Sequence, residues 1–342
     1  MRKKQENVEK SLPTRLRVSL GSAVVLGLLE AKLHSEPTTA YLMTYRKDKC
    51  TANCSFCPQA RLSRGRADLL SRVSWPVFDT KDALAGLEKP VRQGVIKRVC
   101  LQALNYHEVF THLTALISAI SQEIGVPVSV SCQPMNNENI RQMAQAGAER
   151  IGIPLDAATE KLFEKVKGAL VNGPYSWRKQ FELLREAVDV FERGRVSTHF
   201  IVGLGETEEE MVNAIQKCSD IGVLSALFAF TPIAGTALEK MAQPSILTYR
   251  RIQLARHVIF NGIARFEDMS FNSEGQLTNY GVEANVLARV VRTGEPFRTS
   301  GCPNCNRPYY NEKPSGPIYN YPRPLTANEL SEVERELNLA EE

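Results

Sequence analysis

The sequence predicts an α/β fold in which parallel strands close into a (β/α) barrel of TIM type, partial or complete. Three observations predict it. Short β-rich runs alternate with segments of helical period over most of the 342 residues, the pattern of βαβ units and a parallel sheet. The repeats number about seven, which favours a barrel over an open sheet. The hydrophobic content of 43% is ample for one large core or two modest ones.

Taken in order, residues 1–38 read as an N-terminal helical segment. Arg2, Lys3 and Lys4 open the chain, but acidic residues soon follow, so this start is a solvated terminus rather than a nucleic-acid arm. The apolar stretch 18–33 is interrupted by Glu30 and Lys32, too polar for a bilayer, and no cleavage site follows it. Strands are expected at 39–45, 96–103, 127–132, 150–155, 195–202, 223–230 and 266–271. Helices are expected between them. Val109, Phe110, Leu113, Leu116, Ile117 and Ile120 recur at helical spacing, and 181–191 does the same before Gly194 as a stop. Helical patterns follow at 207–219, 248–260 and 277–291. The barrel thus spans 39–293, with its chemistry at the C-terminal ends of the strands. After Gly294 the composition turns to proline, asparagine and tyrosine without period, and 294–342 reads as an ordered, functional extension ending in a surface helix at 328–339.

Charge and cysteine usage narrow the classes. A net charge of +4 with 23% charged residues suits an ordinary soluble protein, and no basic patch interleaved with aromatics points to nucleic acid. Eight cysteines without a secretory signal point to metal or redox chemistry rather than disulfides. The expected location is the cytoplasm, with no membrane contact.

Cys50, Cys54 and Cys57 lie on one loop directly after the first barrel strand, with Phe56 before the third cysteine. Three thiolates hold three irons of a cubane and leave the fourth open, because such clusters otherwise take four protein ligands. Structural zinc prefers paired spacings and four closed ligands, so it fits this loop less well. This spacing is the signature of the radical S-adenosylmethionine (SAM) superfamily. The resemblance implies a [4Fe–4S] cluster whose open iron takes SAM, and cleavage of SAM to a 5′-deoxyadenosyl radical.

Further stretches resemble biotin synthase and its relatives. Cys100 and Cys132 end the second and third barrel strands, where biotin synthase has ligands of an auxiliary, sulfur-donating cluster. The segment Ile201-Val202-Gly203-Leu204-Gly205-Glu206-Thr207 resembles the family segment against the SAM adenine, which makes Gly203, Gly205 and Glu206 cofactor-binding candidates. Asp156 matches a family residue close to SAM and substrate. The third auxiliary cysteine of biotin synthase falls on Ser197, and its arginine ligand has no counterpart near 270–274. The tail supplies Cys302-Pro303-Asn304-Cys305 instead. The resemblance therefore implies a second Fe–S cluster, of [4Fe–4S] type, on Cys100, Cys132, Cys302 and Cys305, with the tail folded over the barrel mouth. Taken without the resemblance, a lone strand cysteine reads as a small core residue, as does Cys218, and a single C-x₂-C as half a zinc site, a redox pair or a binding knuckle.

The tail continues through Arg307, Tyr309, Tyr310, Tyr319 and Tyr321 and resembles that of biotin-synthase-like subunits of a two-protein lipoyl synthase. That resemblance implies a radical SAM sulfurtransferase acting on an octanoyl chain. It also implies an octanoylated carrier (H protein or E2 lipoyl domain), a homologous second radical SAM subunit and a ferredoxin- or flavodoxin-type reductant. Ser197 and His199 share strand parity and are the candidate catalytic contacts. Phe200, Phe228 and Phe230 are candidates to line the acyl slot, and Arg307 to anchor the tail. Two alternatives stand beside this reading. One is a different biotin-synthase-like reaction, such as carbon-skeleton rearrangement or metallocofactor maturation. The other is a non-catalytic partner whose tail is a zinc knuckle.

Overall fold

The computed structural model describes residues 11–337. The chain enters through β1 (Arg15–Val18) and a short helix α1 (Leu20–Val25), then runs into β2 (Thr39–Thr44). A long loop carries the first three cysteines to a small hairpin, β3 (Leu69–Leu70) and β4 (Val73–Ser74), and on to β5 (Val77–Asp79). Strict alternation follows: α2 (Thr80–Arg92), β6 (Arg98–Gln102), α3 (Val109–Ala119), β7 (Val128–Ser131), α4 (Asn137–Ala146) and β8 (Arg150–Gly152). Two helices, α5 (Glu160–Val166) and α6 (Trp177–Phe191), precede β9 (Val196–Val202). Then come α7 (Glu208–Asp220), β10 (Val223–Ala229) and α8 (Ile246–Phe260).

The main sheet has the order β10-β9-β8-β7-β6-β2-β1-β5. Strands β2 and β6 to β10 run parallel, and β1 pairs antiparallel with both β2 and β5. This is a partial barrel of six parallel strands. Strand β2 is buried at every position, as expected of a strand covered by helices outside and filled within. Local chemistry sets the helix ends. Thr207 and Glu210 form a reciprocal capping box at the start of α7. Asn136 accepts from the Asn139 amide to start α4, which ends at Gly147 with φ 108°.

Three sequence expectations need correction. The N-terminal segment is not mainly helical, because 15–18 joins the sheet; residues 1–10 of that segment lie outside the described residues. The seventh barrel strand is absent from the main sheet. At 266–271 the chain makes a 3₁₀ turn (Phe266–Asp268) and two strand residues that pair antiparallel with Leu277–Asn279. The Asn272 side chain accepts from the Glu274 and Gln276 amides, and Gly275 at φ 72° completes the reversal. The helix expected from 277 therefore begins at Ala284 (Ala284–Arg292).

The extension seals the side of the barrel and at Asn311 reaches the C-terminal end of β10. Strand β10 ends the sheet with an unpaired edge, whose amides need acceptors. Ser300 Oγ accepts from Leu227 N (2.8 Å) and Asn311 Oδ1 from Ala229 N (3.2 Å). Across the gap, Thr38 N donates to Asn306 Oδ1 (3.0 Å), and Arg72 donates to the carbonyls of Tyr309 (3.0 Å) and Glu312 (2.6 Å). Farther on, the buried Arg250 guanidinium donates to Ile318 O and Tyr319 O and pairs with Glu336 at 2.9 Å. That carboxylate belongs to the closing helix (Ala327–Glu336); Leu339, expected in it, lies outside the described residues. Among the described residues no helix is long and apolar enough to cross a membrane.

Candidate active site

A cavity of about 540 Å³ fills the barrel interior, from the loop after β2 at the C-terminal ends of the strands to the tail at the side. The loop is rigidly pinned. Lys49 Nζ donates to the carbonyls of Pro58, Ser63 and Gly65 at 2.7 to 2.8 Å. Backbone bonds Cys50 N to Gln59 O (3.0 Å) and Cys57 N to Cys54 O (3.0 Å) shape its turns. Asn53 ties it to Val171 O, and Ser55 N to Val166 O. Cys50, Cys54 and Cys57 all face the cavity.

The donor set suits a cubane. Burial, reinforced by the Cys50 thiol, pushes Cys57 up to about 12; burial also raises Cys54 well above its ordinary value. Metal ligation requires thiolates, and thiolates gathered on one loop repel one another unless a cationic iron centre offsets their charge. Asn105 N donates to Cys50 Sγ at 3.2 Å, a ready hydrogen bond to a ligating sulfur. Among the described residues no three Cys, His, Asp or Glu converge on one ion. A cubane asks for a different arrangement, one thiolate on each of three irons.

Beside this loop lies a charged pair only half visible in the sequence. Lys167 Nζ donates to Asp156 Oδ2 at 2.6 Å and to Pro154 O, and its side chain is 1% exposed. Its ammonium sits 5.2 Å from the Tyr175 ring centre and 5.7 Å from that of Phe163. Asp156 holds φ 66° and bridges to Phe200, with its amide bonded to His199 O. Lys167 follows a helix with no motif around it, and only the fold brings it to Asp156.

Strand parity sorts the other candidates. Ser197, His199 and Ile201 line the cavity, with Phe228 and Phe230 on and after β10. Phe200 points outward into the helix-side core, the reverse of the expectation, because it is one residue out of phase. His199 packs at a tilt against Phe228 (centroids 5.0 Å apart), and burial lowers its pKa to about 4, so it is neutral at pH 7. Gly203, Gly205 and Glu206 do not line the cavity. Glu206 turns its carboxylate onto the amides of Gly203 (2.7 Å) and Leu204 (3.0 Å), closing a loop whose glycines hold φ of 100° and 118°. Of that segment Ile201 reaches the cavity.

Deeper in the cavity the structure gathers Cys100, Cys302 and Cys305. Burial, with Cys302 and Cys305 next, raises the Cys100 thiol. Gln102 donates to Cys100 Sγ (3.1 Å), Ser129 Oγ lies 3.4 Å from Cys302 Sγ, and Tyr41 Oη lies 3.3 Å from Cys305 Sγ. Arg307 lies over Phe228 at 3.8 Å and donates to Leu227 O and Ser300 O, as expected of a tail anchor.

Cys132 also borders the cavity, but its sulfur turns away from these three. Its sulfur packs against Met143 of α4 at 3.6 Å in the core outside the sheet. It lies an odd number of residues from Ser129, so the two face opposite sides. Burial alone raises its thiol, with no contribution from another cysteine. Accordingly, Cys132→Ala is expected to keep the full iron content and cost about 1 kcal/mol of stability; iron analysis and urea unfolding check both. All eight cysteines are free, and Cys218 is a core residue.

Residues 46–218, just over half the chain, match the family model of the radical SAM superfamily. Among curated proteins the chain is similar to biotin synthase of Chlamydia pneumoniae, with 24% identity over 237 residues, 67% of this chain and 66% of that protein. It is likewise similar to 3-methylornithine synthase of Methanosarcina acetivorans, with 24% identity over 223 residues, 64% and 58% of the two. The matches span less than two thirds of either relative's own length. Among solved structures it is similar to methylornithine synthase (TM-score 0.48, 16% identity, 77% of this chain and 83% of that one). A second is the FeFe-hydrogenase maturase of Carboxydothermus hydrogenoformans (TM-score 0.49, 16% identity, 65% and 51%).

Proposed function

The chain belongs to the radical SAM superfamily, and from that premise we propose that it inserts sulfur into a protein-bound octanoyl chain, as one subunit of a two-protein lipoyl synthase. The observation that carries the reading is the second set of cysteines. Cys100, Cys302 and Cys305 share one cavity with the triad, so a substrate between the two sets is in reach of both. When bound, a SAM-carrying [4Fe–4S] cluster on Cys50, Cys54 and Cys57 supplies hydrogen abstraction, and a second cluster supplies sulfide.

The chain's own residues supply position. Lys49 and Asn53 fix the triad loop, while Lys167 and Asp156 place a buried ammonium and carboxylate beside it. Met43, Trp75, Leu104 and Phe228 give an apolar wall suited to an alkyl chain. His199, held neutral, adds an uncharged polar edge to that wall. Holding an unactivated C–H bond in place is the larger part of what such a site contributes. The octanoylated carrier, the homologous second subunit and a ferredoxin- or flavodoxin-type reductant belong to the same proposal.

The test is anaerobic incubation of the reconstituted chain with SAM, reductant and an octanoyl-lysine carrier peptide, with and without a homologous partner, read by mass spectrometry. Sulfur added to the octanoyl chain and lost in Cys302→Ala is the expected result. Formation of 5′-deoxyadenosine with no sulfur transfer under either condition overturns the assignment and favours a rearrangement or maturation reaction.

A further inference from the structure

We propose that the acyl chain enters the cavity from the side, through a gap between the loop 32–35 and the tail, and passes the tail cysteines before it reaches the triad. The inference rests on the reading that the cavity takes a protein-bound acyl chain, and it fixes the direction in which that chain lies.

Exposure places the gap. Among the described residues that line the cavity, those exposed to solvent are Leu20, Lys32, His34 and Pro314. They stand where α1 and the loop after it face the tail. Hydrogen bonds frame this gap on two sides. On one, Thr38 N donates to Asn306 Oδ1 (3.0 Å) and Asn306 Nδ2 to Glu36 O (2.8 Å). On the other, Arg72 holds the carbonyls of Tyr309 and Glu312. Between them His34 meets Tyr309 only edge to face, with ring centroids 6.4 Å apart. An exposed side chain of this kind changes rotamer within about nanoseconds, so its ring is no barrier to entry.

The barrel mouth is bridged instead. Asn105 Nδ2 donates to Tyr175 Oη, Gln133 Nε2 to Pro154 O (3.2 Å) and Thr231 Oγ1 to Asn311 O (3.2 Å). The cavity-lining residues at that end are buried or half-buried.

From the gap inward the path is apolar and leads to both sets of cysteines. Tyr41, Met43, Trp75 and Leu104 form one buried cluster, with Cys305, Cys100 and Cys50 packed against it. Thr38 bonds to Asn304 O and to the Asn306 side chain, the residues that flank Cys305, so the tail set stands just inside the gap. Burial of methylenes along this wall drives the chain inward. The carbonyl end and its carrier stay at the gap, and the methyl end points toward the triad. Hydrogen is therefore taken from the methyl half of the chain.

The experiment compares His34→Trp and Leu20→Trp, which narrow the gap, with Met135→Trp on the exposed loop after β7 at the mouth. Each chain is reconstituted without oxygen and titrated with octanoyl-lysine carrier peptide, read by sulfur transfer and by calorimetric binding. The two rim variants are expected to raise KM and Kd for the peptide about tenfold with little change in kcat, because the bound chain still threads the gap. Their iron content and the 5′-deoxyadenosine formed without peptide stay at the parent's level, and Met135→Trp behaves as the parent. All three positions are exposed, and the thermal midpoint reports that each variant is folded. Parent-like KM and Kd in both rim variants, or a rise confined to Met135→Trp, overturns the inference and leaves the acyl reading intact. A matching loss of SAM cleavage in the rim variants also overturns it, since the change then acts on the triad. Where the parent binds the peptide without transferring sulfur, the Kd comparison decides alone. A parent that neither binds nor sulfurates the peptide overturns the acyl reading, and the inference with it.

Discussion

Cys54→Ala is expected to remove about four irons per chain and to lower SAM cleavage by more than about 10³-fold, equivalent to about 4 kcal/mol or more. Two thiolates cannot retain a cubane that three hold. The rest of the loop does not depend on this side chain. Cys54 contributes its carbonyl to Cys57 N, and Lys49 anchors the loop through three carbonyls elsewhere. The thermal midpoint should therefore stay close to that of the parent before reconstitution. Iron analysis and chromatography of 5′-deoxyadenosine check the result. Unchanged iron would contradict the assignment of this loop.

The largest loss of stability is expected at Lys167. Its ammonium and the Asp156 carboxylate are enclosed together, with side-chain exposures of 1% and 12%. Removing one partner leaves an uncompensated buried charge, which costs about 3–5 kcal/mol. Lys167→Met should lower the unfolding free energy by that amount, read as a fall in the urea midpoint at unchanged m-value. The double variant Lys167→Met, Asp156→Asn should recover much of the loss, since no charge is left unpaired. Asparagine is chosen because it tolerates the φ of 66° at that position. A single variant as stable as the parent would show that the pair is not enclosed as described. Neither variant is expected to bind SAM as the parent does, since both remove the charge beside the triad loop.

The legible and illegible parts of this molecule divide by range. The triad declares itself because its chemistry sits on one short loop, and the strand–helix alternation because each element carries its own period. The inward face of β9, with Ser197 and His199, follows from parity alone. Errors came where one residue of phase mattered. Cys132 and Ser129 are on the same strand or just past it, but an odd offset puts sulfur against Met143 and oxygen against Cys302. Phe200 failed in the same way. The strand expected at 266–271 was overridden by turn chemistry at Asn272 and Gly275, which carries no hydrophobic signal.

Long-range placement was the other limit. That β1 and β5 run antiparallel to the barrel is set by pairing with β2, not by composition. The tail's cysteines are plain in the sequence, but their position depends on the free edge of β10, which Ser300 and Asn311 satisfy. Lys167 belongs to the same class, eleven residues from Asp156 and joined to it only through the turn that follows α5.

The central claim is that one cavity serves two iron–sulfur centres, one on the triad and one on the tail with Cys100. Its most direct test is the iron content of the full chain reconstituted without oxygen, set beside a Cys302→Ala, Cys305→Ala variant. The account predicts about eight irons in the parent and about four in the variant, with the triad's cluster spectrum unchanged. About four irons in both would contradict it, leaving a radical SAM enzyme whose tail closes the barrel without holding a cluster.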